Sequence, residues 1–132
     1  MAADDDLVIC FRLSKLDALI PEEGDYRAAV RSVHHRSSAA GNSTIQVIYD
    51  LLGVEPGWDR VSEYFVRSGN PQAVAISQNR LLALCRACGM EPREGEEIDL
   101  RDLVGQHLEL RVGHETYEGR KRLSVLRHRR SV

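Results

Sequence analysis

Asn70-Pro71-Gln72-Ala73-Val74-Ala75-Ile76-Ser77-Gln78-Asn79-Arg80-Leu81-Leu82-Ala83-Leu84-Cys85-Arg86-Ala87-Cys88-Gly89 is the stretch of this chain that reads as a full helix. Asn70 is a good N-cap, and Pro71 sits without cost at the first helical position. Val74, Leu81, Leu84, Cys85 and Cys88 fall near one face of a 3.6-residue period. Gly89 is placed to end the helix in a left-handed conformation. The segments on either side alternate with a period of two, so the place of this helix among the strands points to the architecture.

Three strands precede it. From Asp25 to His34, Tyr26, Ala28 and Val30 share one side, and Arg27, Ala29 and Arg31 the other. Arg36-Ser37-Ser38-Ala39-Ala40-Gly41-Asn42-Ser43 is a flexible loop by composition. Ile45, Val47, Tyr49 and Leu51 line one face of a second strand. Glu55-Pro56-Gly57 makes a turn. Trp58 to Arg67 is a third strand, rich in aromatic and β-branched residues.

Two strands follow the helix. Asp99 to Gly105 reads as a short helical turn. Leu108, Leu110 and Val112 alternate with His107, Glu109 and Arg111 in a fourth strand. Glu118-Gly119 turns the chain, and Leu123 and Val125 alternate with Arg122, Ser124 and Leu126 in a fifth. Three strands, a helix and two strands is the order of the OB fold. A small sheet leaves costly edges unless it curls shut, and the helix could plug the open end. The expected fold is therefore mainly β: a five-stranded OB-type β-barrel with one helix between strands 3 and 4. Residues 23–128 form this domain. Residues 1–22 are an acidic leader whose Leu7-Val8-Ile9-Cys10-Phe11 is apolar enough to add an edge strand or rest on the core. Residues 129–132 are a basic tail.

The 132 residues suit one domain, with a globular balance of 42% hydrophobic and 29% charged residues. No apolar run reaches the length of a membrane span. The opening acids Asp4-Asp5-Asp6 are unlike a signal peptide, and three cysteines do not make a disulfide framework. The expected location is the cytoplasm. Net charge is -2, but it is segregated: residues 1–24 carry six acids and two bases, and residues 111–132 seven bases and two acids. The basic end can attract phosphates.

Three groups of residues carry a family likeness. Gly24-Asp25-Tyr26, Gly41-Asn42 and Tyr64-Phe65 form the first. Arg80 to Gly89 on the helix is the second. Asp102-Leu103-Val104-Gly105 and Tyr117-Glu118-Gly119-Arg120 form the third. In this order they resemble a phage and prophage family of small proteins, long catalogued as a domain of unknown function. Members of that family are regarded as OB-fold single-stranded-DNA-binding proteins. The likeness runs over residues 20–128. It implies single-stranded DNA as the partner, phage-type replication or recombination as the setting, and replication or recombination proteins as companions. The chain departs from the family at Ile45 and Val47, which fit the strand-2 pattern loosely. Its basic tail also differs from the acidic partner-docking tail of many bacterial single-strand binders.

Binding unpaired DNA takes cations along the phosphates and flat rings under the bases. The cationic candidates are Arg27, Arg31, Arg36, Arg67, Arg111, Arg120, Lys121, Arg122 and Arg127. Tyr26, Tyr49, Trp58, Tyr64, Phe65 and Tyr117 are the rings. Tyr26, Tyr49 and Phe65 lie in alternating strands and read as core. Trp58 and Tyr64 fit either role, and Tyr117, beside a turn, reads as exposed. An OB ligand crosses strands 2 and 3 between two loops, here Arg36–Asn42 and Gly113–Lys121. The second brings Tyr117, Arg120 and Lys121 beside His114.

Other chemistries are weaker. Cys85 and Cys88 have the spacing of a zinc half-site, but a full site needs four ligands. They also have redox-pair spacing, but at the end of a helix, where the dipole disfavours a thiolate. Burial as small apolar side chains accounts for them. No HExxH, phosphate loop or GxSxG elbow is present. The sequence thus points to no enzyme, no cofactor and no metal. The rival reading is an OB protein-interaction module without nucleic-acid binding, since fold does not dictate function. Exposed edge strands leave a homodimer open.

Overall fold

Alternation builds the sheet directly. Val30, Val47, Tyr49, Val61, Phe65, Leu108, Leu110 and Val112 are buried, and their strand neighbours face outward. The computed structural model describes residues 6–131. The first acids of the leader, Asp4 and Asp5, and the last residue of the tail, Val132, lie outside the described residues. The strands are β1 (Gly24–Ser37), β2 (Ser43–Leu51), β3 (Arg60–Val66), β4 (His107–Tyr117) and β5 (Arg120–Arg129). They form one five-stranded antiparallel sheet in the order β3-β2-β1-β4-β5. The helices are α1 (Leu13–Asp17) and α2 (Pro71–Ala87), with a 3-10 turn at Leu100–Leu103, so there are two helices where the sequence suggests one, the second formed within the acidic leader.

β1 serves two partners. Its first half, Gly24–Ala29, pairs with β4, and Ala28–Ser37 pairs with β2. Register shifts between Val30 and Ser32, and where Arg111-Val112 meet β5, mark bulges that bend the strands. Among the described residues no backbone ladder joins β3 to β5, so the sheet is not closed by hydrogen bonds. Side chains meet across that seam instead: His128 Nε2 of β5 donates to Glu63 Oε1 of β3 at 2.7 Å.

α2 covers the core, with Leu84, Cys85 and Ala87 buried and Leu81 and Cys88 partly so. Asn70 Oδ1 caps it, accepting from the amides of Gln72 (2.9 Å) and Ala73 (3.2 Å). Ser77 Oγ accepts from Val66 N at 2.9 Å and ties the helix to the end of β3. Gly89 has the left-handed φ of +86° that stops the helix.

Several sequence expectations shift. β1 runs through Arg36 and Ser37, so the first loop is only Ser38–Asn42, and it is bound to itself: Ser38 N donates to Asn42 O at 2.8 Å. Trp58 precedes β3 and Arg67 follows it. The fourth and fifth strands extend to Tyr117 and back from Arg120, so the expected loop 113–121 is the tight turn Glu118-Gly119, with φ of 51° and 74°. Both residues adopt the left-handed conformation that a two-residue hairpin demands. Leu7–Phe11 adds no strand; these residues are exposed, Leu7 at 81% and Phe11 at 74%. The leader is joined to the sheet further on, where His114 Nε2 donates to Pro21 O at 2.7 Å.

Candidate nucleic-acid interface

Because Val61, Glu63 and Phe65 point inward, Arg60, Ser62 and Tyr64 must point outward from β3. Register then places His34, Gln46 and Tyr64 in one cross-strand row on the outer face of β1, β2 and β3. A side-chain chain runs along it. Arg36 Nε donates to Gln46 Oε1 at 3.1 Å, and Gln46 Nε2 donates to the Tyr64 hydroxyl at 3.1 Å. Tyr64 is 47% exposed. At the far end of this face Asp50 holds two guanidiniums, Arg31 at 3.2 Å and Arg60 at 3.8 Å.

Tyr64 also borders a groove of about 660 Å³ between β3 and β5. Trp58, Arg60, Arg80, Lys121 and Arg122 line it with Tyr64. Trp58 is 37% exposed. The carboxylates of Glu63 and Glu115 share the groove, so its lining carries four cations and two anions.

The floor of the groove is a buried polar knot. Glu63 Oε1 accepts from the Tyr49 hydroxyl and from His128, each at 2.7 Å, and Oε2 accepts from Arg80 of α2. Glu63 is buried, and such a carboxylate is tolerable only when paired and hydrogen-bonded. Burial, and then the neighbouring Glu63 carboxylate, push the Tyr49 hydroxyl well above its usual pKa. The knot joins β2, β3, β5 and α2 where the sheet lacks a ladder.

A third surface lies on the outer face of β4 and β5. Arg122 stacks over the Tyr117 ring at 4.0 Å and pairs with Glu115 at 2.6 Å. Tyr117 is 52% exposed. Arg120 is held by Asp17 of α1 at 3.0 Å, and Arg111 by Asp25 at 3.2 Å.

The sequence candidates are therefore divided. Trp58, Tyr64, Lys121 and Arg122 meet around the groove, and Arg31 and Arg36 lie on the adjoining face. Tyr117 joins them through Arg122. Arg27 and Arg111 sit on the first half of β1 and its β4 partner. Arg67 lines a different groove of about 1190 Å³ with Phe65, Leu81 and Cys85. The two expected flanking loops do not converge. β1 runs toward the first and antiparallel β4 toward the second, so they lie at opposite strand ends. His114 faces the leader rather than the arginines. Arg60, Arg80 and Gln46 are absent from the sequence candidates. Arg60 shares the alternation of Tyr64, which is a signal in the sequence. Arg80 carries no such signal, because its partner Glu63 lies 17 residues away.

Tyr49 and Phe65 are core, as their alternation implies, and Tyr26 is half-buried with its hydroxyl donating to Glu22 O at 2.6 Å. Cys85 is buried and Cys88 half-buried. Burial raises both thiols, Cys88 to about 11 with Cys85 adding to the shift. Among the described residues no three His, Cys, Asp or Glu side chains are grouped to hold a metal ion. No helix among them is long and apolar enough to cross a membrane.

Residues 16–132 match a family described as a protein of unknown function (DUF669). The chain belongs to the DUF669 family. No curated protein matches the chain. The DUF669 match begins inside α1 and takes in every strand, α2 and all three surfaces. It also covers Asp17, the residue that ties α1 to Arg120.

Proposed function

We propose that this DUF669 chain binds single-stranded DNA, with little regard to sequence, in phage-type DNA replication or recombination. The observation that carries the reading is Tyr64. Its half-exposed ring joins the Arg36–Gln46 row to the cationic groove of Arg60, Arg80, Lys121 and Arg122. A base can stack on that ring while guanidiniums on either side take the phosphates. Trp58 and Tyr117 are further exposed rings along the same path. The strand order, and the meeting of β3 and β5 through Glu63 and His128, support a barrel of OB type. Such a protein works in the cytoplasm, beside the replication or recombination proteins that generate or use the strand.

Fluorescence anisotropy with labelled oligo-dT tests the reading. Saturable binding at low salt that weakens steeply as salt rises is the expected result. Flat titrations at about 50 mM salt, within the range where such contacts are strongest, would overturn it.

One observation favours the rival interaction module. Arg31, Arg60, Arg80, Arg111, Arg120, Arg122 and Arg129 each contact a carboxylate, which blunts their pull on phosphate. Exposure of Trp58, Tyr64 and Tyr117 favours DNA, because base stacking needs open rings. A protein-only module predicts that Tyr64→Ala leaves oligo-dT titrations unchanged.

A further inference from the structure

Alternation and register place six charged side chains in two cross-strand rows on the outer face of β1, β4 and β5. One row is Arg27, Glu109 and Arg129; the next is Asp25, Arg111 and Arg127. Four are arginines and two are carboxylates. Arg111 pairs with Asp25 at 3.2 Å, and Arg129 with Glu109 at 3.3 Å. Arg27 and Arg127 are exposed, and among the described residues neither has a carboxylate within salt-bridge distance. The face therefore keeps two unbalanced cations.

Arg111 and Arg127 stand directly opposite each other in the ladder. Like charges in that position destabilise a strand pair. Asp25 offsets Arg111 alone, so an anion bridging the two would balance Arg127 as well, and paired guanidiniums suit phosphate oxygens. The strip is also continuous with the proposed DNA path. Arg122, Ser124 and Arg127 are on the outward side of β5, and Arg122 lines the groove beside Tyr64. No aromatic side chain stands in the two rows, so binding there is to the backbone of the nucleic acid and not to its bases.

We infer that Arg27 and Arg127, with the carboxylate-paired Arg111 and Arg129 beside them, form a second, phosphate-only strip that takes the continuation of the same single strand once it leaves the groove. The inference rests on the DNA reading above and deepens it: the strip lengthens the site without adding sequence preference. It is distinct from Tyr64 and Trp58, which serve short strands.

The test compares the Arg27→Ala/Arg127→Ala double variant with the natural chain on two oligomers. One is oligo-dT of about 6 nucleotides; the other, about 24, exceeds the ~4–16 nucleotides that one OB fold covers. Both substituted side chains are exposed, and an unchanged thermal melt checks the fold. The long oligomer should bind the variant several-fold more weakly. Its slope of log affinity against log salt should fall in magnitude by about 1.4, or ~0.7 for each phosphate left without its arginine. The short oligomer should be unaffected, and Arg27→Lys/Arg127→Lys should restore most of the slope.

Equal slopes for variant and natural chain on the long oligomer would overturn the strip while leaving the DNA reading intact. Equal weakening on both lengths would also overturn it, by placing these arginines within the short site. A polyglutamate peptide bound by the natural chain but not by the variant, with DNA slopes unchanged, would reassign the face to an acidic protein partner. If neither oligomer binds the natural chain, the DNA reading falls first.

Discussion

At the residue scale Tyr64 is decisive. Its side is dictated by its neighbours: Glu63 and Phe65 are taken inward, so the ring goes out. Alanine scanning of stacked rings costs ~1–3 kcal/mol per base, so Tyr64→Ala should weaken oligo-dT binding about 5- to 150-fold. Tyr64→Phe keeps the ring and loses only the bond from Gln46, so it should bind nearly as the natural chain does. Anisotropy titrations of the three proteins at one salt concentration check this. The thiols offer an independent check. Cys10 is exposed, whereas Cys85 is buried and Cys88 has its pKa raised to about 11. At pH 8 only on the order of 0.1% of such a thiol is thiolate, the reactive form. An aromatic disulfide reagent should titrate Cys10 rapidly in the native protein and the other two on unfolding.

At the element scale the helix and the seam respond differently. The helix start is a local device, so Asn70→Ala should cost about 1 kcal/mol. A urea titration should show a lower midpoint with the same m-value. The seam depends on one carboxylate. Glu63→Ala would strand the Tyr49 hydroxyl and the His128 imidazole in the interior without their acceptor. Each orphaned group costs ~1–3 kcal/mol, so a loss of about 2–6 kcal/mol is expected in the same titration. Helix and seam are also unequally legible in the sequence. The N-cap, the proline and the terminal glycine of α2 lie along one continuous stretch of chain. Glu63 visibly occupies an inward position, but its partners lie 14, 17 and 65 residues away. Arg36 reads as loop because its small neighbours suggest one; pairing with Thr44 draws it into β1.

For the whole molecule, alkaline stability follows from groups kept neutral by folding. Cys88 moves from the ordinary thiol value of 9.0 to about 11, and Tyr49 is raised well above its usual 10.0. In both cases the unfolded chain releases its proton first. The contribution of these groups is complete below pH 9, declines from there as unfolded Cys85 and Cys88 ionise, and falls further above pH 10 as unfolded Tyr49 ionises. Thermal melts from pH 8 to pH 11 should show this limb, and Cys88→Ala should flatten its first part. The five strands and α2 could be written down from the residues alone, α2 from its caps and period and the strands from alternation, because near neighbours in the chain set both; α1, which has no buried residue and no side-chain cap, could not. Which cations share a surface emerged only on folding. Bulges in β1 and at the β4–β5 pairing, together with the turn at Glu118-Gly119, bring Lys121 and Arg122 to Tyr64 and leave Arg67 in another groove. That grouping depends on register between distant strands, which no local pattern encodes.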